Sequence, residues 1–321
     1  MRHERKRSSI VTLMVIAAVA ATATIAFMTI GARGNWSFVL PFRGVKLLAL
    51  ALVAYSIAVS TVLFQTITNN RILTPAIMGF DWLYMLLQTL LVFGLGAAAT
   101  SAIDVRLMFV VEIGTMLAFS LVLYRFLFSG AVRDLHLLLL IGVVFGTLFR
   151  SLSGFLQRLI DPNDFVVLQD RLFASFNAVD PNLLMISALM VVGASAVGLR
   201  IFHTFDVMSL GRETAISLGV DHRRITMTVL ALVAIFVSVS AALVGPVTFF
   251  GLLVANLAYI LMPTAKHRYV LPAAILLAVI CLVGGQTILE RVFAFDTALS
   301  IVIEFAGGLF FIFYLLRGHA R

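Results

Sequence analysis

The sequence predicts an all-α, polytopic membrane protein of about ten transmembrane helices, on three observations. Apolar residues make up 62% of the 321 positions and charged residues only 12%, against roughly 25% charged in an ordinary soluble domain. Mean hydropathy is +1.10, which means more apolar surface than one aqueous core can hide, so the bilayer must be much of the solvent. The apolar residues also fall in runs of spanning length joined by short polar connections. Together these exclude a soluble enzyme or binding domain. The longest polar connection, Gln157 to Pro181, is too short to hold a core of its own, so residues 1–321 read as one membrane domain.

Taken in order, the chain opens on a basic tail, residues 1–9, carrying Arg2, Arg5, Lys6 and Arg7, followed by an uncharged run from Ile10 to Ile30. A secretory signal is the alternative, but its apolar region would be roughly 7–15 residues long, so this run reads as an uncleaved first helix. Further apolar runs lie near residues 45–66, 82–100, 107–128, 135–156, 182–201, 225–244, 248–262, 270–289 and 298–316. The eighth is short for a hydrocarbon core of roughly 30 Å. Gly245-Pro246 just ahead of it removes a backbone donor, which predicts a broken or tilted segment there.

The net charge of +8 in a soluble protein would point to nucleic acid. Sorted along ten helices with the N-terminus inside, fifteen of the 23 Lys and Arg residues fall on the inner side and eight on the outer. Short cytoplasmic loops are enriched in Lys and Arg, so both termini read as cytoplasmic, the excess marks orientation, and no nucleic-acid partner is implied.

Several chemistries can be tested directly. The three lysines, Lys6, Lys46 and Lys266, never follow a glycine, so the chain has no phosphate-cradling loop of the Walker A type. The six histidines are scattered, with no zinc-binding spacing, so no metal site is expected. His203 lacks a nucleophile motif such as G-x-S-x-G that would suggest a hydrolase. Cys281 lies in an apolar run and reads as packing. Glu112 and Glu304 fall inside predicted spans. Intramembrane acids are by default candidates for an ion path, so a proton-coupled secondary transporter is one reading; hydrogen bonding within the bundle is the other.

The most informative polar stretch is residues 209–224, between the sixth and seventh spans. It reads as a short helix from Arg212 to Leu218, with Ser209 as a candidate N-cap and Gly219 as the left-handed residue that ends it. Asp221 is placed to cap the following helix. Ala215 and Leu218 share a face at i, i+3, while Arg212 and Glu213 start the helix. Such an element is either a docking surface for a soluble partner or a plain connecting turn.

This segment resembles the L-G-x-x-x-A-x-x-L-G-V-x-x-x-R signature of the permease subunits of iron-chelate (ferric siderophore) and vitamin B12 ABC importers, the type II importers. Two further matches fall in order along the chain. Residues 65–79, Q-T-I-T-N-N-R-I-L-T-P-A-I-M-G, are similar to that family's Q-x-x-x-R-N-P-L-A-D-P-x-x-L-G; Gln65, Pro75 and Gly79 match. Residues 245–253, G-P-V-T-F-F-G-L-L, are similar to its G-P-I-G-F-V-G-L-I; Gly245, Pro246 and Gly251 match. Two departures stand out: the family's R-N-P is Asn69-Asn70-Arg71, and its P-H is Ala255-Asn256. These resemble the branch that carries catecholate-type siderophores.

The resemblance implies a permease subunit, not an enzyme, in a bacterial inner membrane. Two permeases would form a path between them, the second preferably a related chain. Two cytoplasmic ATPases would bind below, carrying the ATP and Mg cofactors, and a periplasmic siderophore-binding protein would deliver the ferric siderophore from above. Arg212 to Gly219 would be the coupling helix, with Arg212, Glu213, Ala215, Leu218, Gly219 and Arg223 meeting the ATPase. The family's binding-protein contacts fall on Arg43, Lys46 and Arg291, for which snorkelling anchors are the plainer reading. The pathway would be lined by residues 135–156 with the loop through Asn177. Gly193, Gly245, Gly251, Gly307 and Gly308 read mainly as close-packing positions.

Overall fold

The computed structural model describes residues 2–31, 36–129, 135–177 and 179–292, and beyond these residues 299, 301–303, 305, 307–309 and 312. Glu304 lies outside the described residues, as do Arg33, Arg133, Arg317 and Arg321. Among the described residues the regular structure is helical: α1 (Arg2–Thr29), α2 (Trp36–Thr68), a 3-10 turn (Pro75–Met78), α3 (Phe80–Leu95), α4 (Ala97–Ala102), α5 (Val105–Ser129), α6 (Leu135–Gln157), α7 (Pro162–Leu172), α8 (Pro181–Arg200), α9 (Phe202–Met208), α10 (Arg212–Ser217), α11 (His222–Val244), α12 (Phe250–Leu261) and α13 (His267–Arg291).

Seven of these, α1, α2, α5, α6, α8, α11 and α13, are long and apolar enough to cross a membrane; α3 and α12 are shorter apolar helices. Each of the ten expected runs contains helix among its described residues, the tenth, 298–316, being described only at residues 299, 301–303, 305, 307–309 and 312, and the differences are instructive. The tail is not a separate element, since α1 continues back through it to Arg2. The third run breaks at Gly96, whose φ of 81° suits glycine, dividing it into α3 and α4. The eighth is as short as expected: α12 has 12 residues, about 18 Å at 1.5 Å per residue. Ahead of it, residues 245–249 leave the helix at Gly245, φ 101°. The long polar connection contains α7, which with α8 starts on the same local code. Asp161 and Asp180 each cap a helix whose first residue is proline, accepting from Asn163 N–H and Asn182 N–H, as expected where an N1 proline needs no donor and a capping carboxylate serves the next amides.

At the centre lies α2, buried along Ala49, Leu50, Val53, Ala54, Ala58, Val62 and Phe64 and packed against α8, α11, α12 and α13. The peripheral α1 rests on α13. Hydroxyls on outward faces are satisfied by their own helix: Thr22, Thr115 and Thr147 each donate to the carbonyl four residues back, which removes the cost of an unpaired donor facing lipid.

Two backbone crossings leave no room for a side chain. A Cβ on Gly142 would lie 2.8 Å from Met78 Cα, and one on Gly79 would lie 3.0 Å from Gly146 Cα, so α6 presses directly onto the 3-10 turn. A Cβ on Gly251 would collide with the Thr61 hydroxyl on α2. The small positions that set the packing of α6, Gly142 and Gly146, were not among those singled out from sequence. Gly142→Ala is expected to cost about 1–3 kcal/mol through overpacking, read as a lower thermal midpoint in detergent. Gly154→Ala on the same helix, with open space around its Cβ position, should change stability by less than about 0.5 kcal/mol.

Candidate functional site

The segment between α8 and α11 folds back on itself at one end of the bundle. Helix α10 spans Arg212–Ser217, with Leu218 as its C-cap and Gly219 at φ 81°. Val220 N–H bonds to the Ala215 carbonyl at 3.0 Å and Gly219 N–H to that of Ile216 at 2.9 Å, the left-handed closure that glycine permits. Asp221 caps α11, accepting from Arg224 N–H at 3.1 Å. Ser209 does not start α10: Gly211 occupies that position, and the Ser209 hydroxyl instead donates to the Asp206 carbonyl at 2.7 Å, closing α9.

Ala215 and Leu218 do not share a face. Ala215 is fully buried against the protein's own core, whereas Leu218 is exposed together with Leu210 and Ile216. Ala215 therefore seats α10 on the bundle, and the outward apolar surface is Leu210, Ile216 and Leu218, flanked by exposed Arg212, Glu213 and Arg223. Leu210 and Ile216 are the exposed apolar residues that spacing alone does not reveal; the six-residue helix is too short for an amphipathic pattern to show its phase.

What holds this segment to the membrane helices is a buried histidine. His267, 2% exposed at the start of α13, donates from its backbone N–H at 2.8 Å and from Nδ1 at 2.7 Å to Asp206 Oδ1 on α9. Its Nε2 lies 2.7 Å from Thr66 Oγ1 on α2. One side chain thus ties the approach to α10 to the two most central packing partners. Burial raises the Asp206 pKa, but the backbone and ring donors of His267 outweigh it and hold the carboxyl below its ordinary value.

The same end carries the first motif. After α2, Asn69 adopts φ 49°, and Asn70 Oδ1 accepts from Ile72 N–H at 2.9 Å, an Asx turn. The Arg71 carbonyl is gripped twice, by Gln65 Nε2 at 2.6 Å and by Asn256 Nδ2 at 3.2 Å from α12, and the Arg71 guanidinium lies 4.4 Å from the Tyr259 ring centroid. Pro75 then opens the 3-10 turn, which Gly79 closes. The third motif meets it: Pro75, Asp81, Gly245, Pro246 and Gly251 line one small cavity, and Ser175 N–H pairs with the Val244 carbonyl at 2.8 Å.

At the opposite end, Arg43, Lys46 and Arg291 come together around a cavity of about 490 Å³ with Asn177 and Glu290. Their states differ. Lys46 is buried and ion-paired to Glu290 at 2.6 Å; it also donates to Asn177 Oδ1 at 2.9 Å, and Gln286 bonds both Asn177 and Glu290. Arg43 Nη1 donates to the carbonyls of Phe27, Met28 and Ile30, capping α1 as basic groups do at helix C-termini. Arg291 is exposed over Gly31.

Glu112 on α5 is buried and accepts from Gln88 Nε2 on α3 at 2.6 Å, a bond within the bundle. On α6, the face opposite Gly142 is exposed along Leu140, Val144, Thr147, Leu148 and Ser151. Among the described residues no group of three His, Cys, Asp or Glu side chains is placed to hold a metal ion.

A bundle of apolar helices with a short exposed helix anchored at one end is the architecture of a polytopic membrane protein. The match to known proteins makes this specific. Residues 8–317 match the FecCD transport family, and the chain belongs to that family; it is a transport subunit and not an enzyme. It is 49% identical over 284 residues to the Petrobactin import system permease protein YclO of Bacillus subtilis (strain 168), covering 88% of this chain and 90% of the relative. It is 24% identical over 285 residues to the Petrobactin import system permease protein YclN of the same organism, covering 86% and 84%. A solved structure of a metal-chelate type ABC transporter in an inward-facing conformation superimposes with a TM-score of 0.82 at 21% identity, covering 96% of this chain and 99% of that one; at that identity it is the fold that is shared.

Asp206→Ala leaves the buried His267 donors unpaired and should destabilise the protein by about 1–3 kcal/mol. A carboxyl with a lowered folded pKa contributes stability that is complete above its unfolded value, 3.8, and lost as pH falls through the lower folded value. The wild-type thermal midpoint should therefore drop below pH 4 by more than that of Asp206→Ala, in a melting series from pH 7 to 3.

Proposed function

We propose that the chain is one permease of an ABC importer that moves a ferric siderophore of the petrobactin kind from the periplasmic or outer face to the cytoplasm. The observation that carries this reading is the 49% identity to a petrobactin permease along nearly the whole chain. The charge count supports the direction: α10 and the α13 start lie at the end where the chain concentrates Lys and Arg, which is the cytoplasmic side by the positive-inside rule. Relatives of two kinds carry the same system name in one organism, which supports pairing of this chain with a second, different permease.

In this reading the outward surface of α10 seats in a separate cytoplasmic ATPase, which holds ATP and Mg. Leu210, Ile216 and Leu218 provide contact, and Arg212, Glu213 and Arg223 provide register. Closure of the ATPase pair moves α10, and the Asp206–His267 tether passes that movement to α13 and α2 as a rigid-body shift. The exposed α6 face, apolar with weakly polar Thr147 and Ser151, lines the path between the two permeases; it offers a bulky chelate contact without strong ligands. At the other end Arg291 faces the acidic lobes of a siderophore-binding protein, while Arg43, held by the α1 carbonyls, and Lys46, already neutralised by Glu290, position that surface from within.

The test is ATP-dependent uptake of ferric petrobactin into vesicles holding this chain with its partner permease, the ATPases and the binding protein. Transport by this chain's vesicles under a proton gradient without ATP would overturn the reading. Ile216→Asp and Leu218→Asp should each lower uptake at least about tenfold, as expected of central interface anchors, while leaving stability within about 0.5 kcal/mol of wild type because both positions are exposed.

The two ends can be separated by charge reversal. Arg291→Glu should weaken binding-protein association at low salt and have a diminishing effect as salt rises, measured by surface-immobilised binding. Lys46→Glu places two buried carboxyls together and should instead destabilise the fold by about 3–5 kcal/mol, seen as lost expression or a lower midpoint.

A further inference from the structure

A groove of about 330 Å³ runs between α2, α8, α9, α11 and α13, within the roughly 300–1,000 Å³ of small-ligand sites. Its walls are apolar, among them Val59, Leu63, Phe205, Phe236 and Leu271. The polar pair at its deep end is already satisfied: the Ser195 hydroxyl donates to the Val191 carbonyl at 2.7 Å, and Tyr55 OH lies 2.7 Å from Ser195 Oγ. At the other end stands Arg268, exposed, its guanidinium 4.6 Å from the Tyr269 ring centroid. Pro272, also on the wall, has no N–H, so the Arg268 carbonyl four residues earlier loses its helical donor and the mouth offers an acceptor beside the cation.

Dimensions and access narrow the occupant. From Tyr55 to Leu63 the groove follows α2 for about 12 Å, and from Arg268 to Ile275 it follows α13 for about 10 Å, at about 1.5 Å per residue. On its rim Leu199 is 72% exposed, so the groove opens sideways from the bundle, where a membrane protein meets lipid. An occupant has to be apolar along most of its length and anionic at one end. A wholly polar solute would be stripped of water against aromatic walls with nothing to bond, and a neutral chain would leave Arg268 unused.

We infer that the groove holds one acyl chain of an anionic phospholipid, with its phosphate on Arg268. Basic pockets between helices at a membrane face suit such headgroups. The consequence is mechanical as well as adhesive: the chain lies on Phe202 and Phe205 of α9, the helix that holds Asp206 and leads to α10, so a bound lipid braces the segment that carries α10. The inference depends neither on the transported substrate nor on which face of the membrane α10 occupies.

The test uses the permease extracted with its native partners into a neutral detergent, probed with phosphatidylglycerol and phosphatidylcholine of the same chain length by native mass spectrometry and thermal unfolding. Phosphatidylglycerol is expected to bind as a discrete adduct and raise the midpoint, with phosphatidylcholine about fivefold weaker, the worth of one basic residue at an anionic surface. Arg268→Gln, at an exposed position, should reduce phosphatidylglycerol to the phosphatidylcholine level. Gly198→Phe, whose Cβ would make only ordinary contact with Leu232, should fill the groove and abolish both adducts. Equal binding of the two lipids to wild type, or undiminished phosphatidylglycerol binding to Arg268→Gln, would overturn the inference. So would a cross-link from Leu199→Cys to the partner permease in membranes, which would assign the groove to a protein contact.

Discussion

A backbone that leaves the helix inside a bilayer must find partners for its own N–H and C=O groups, because lipid supplies none. That constraint organises this protein. The chain breaks helix after α2, at the α10 end, where side chains in the recognisable motifs serve the backbone, and again after α11, where a backbone amide of the preceding loop does so. Gln65 and Asn256 share the Arg71 carbonyl, Asn70 receives Ile72 N–H, and the loop at Ser175 pairs with the end of α11. With those groups paired, the glycine contacts between α6 and the 3-10 turn can form, and α2 can sit at the centre among α8, α11, α12 and α13. Remove the pairing and the same glycines would pack against a strand of chain with unmet hydrogen bonds, a state costing a few kcal/mol for each group.

The positions legible from sequence were those governed by local rules. Asp221 as a cap, Gly219 as a left-handed closure, Gly245-Pro246 as a break and the shortness of α12 all follow from one residue's conformational limits or from counting. What the sequence did not disclose depends on residues far apart in the chain. Asp206 and His267 are separated by 61 positions and Lys46 and Glu290 by 244, and no periodicity announces either pair. The phase of α10 was missed for a different reason: six residues do not complete two turns, so whether Ala215 or Ile216 faces inward is decided by the packing of α9 and α11. Ser209 closes α9 instead of opening α10 because a hydroxyl near a helix start is equally able to serve the helix that has just ended.

The two ends of the bundle use charge in opposite ways. At the α10 end, Asp206 and His267 hold elements together while Arg212, Glu213 and Arg223 remain exposed around an apolar patch. At the far end, Lys46 and Glu290 neutralise one another inside the fold and Arg43 closes α1, which leaves Arg291 as the exposed cation of the three. A basic residue at a matching motif position is therefore no guide to whether its charge is available; burial and partner decide that.

The two places where this chain departs from the wider motif pattern, Asn69-Asn70-Arg71 and Ala255-Asn256, touch each other through the Arg71 carbonyl. Losing Asn256 would leave the Arg71 carbonyl to Gln65 alone. Segments 185 residues apart in the chain thus act as a single support for one exposed turn at the α10 end, and a substitution in either is felt by the other.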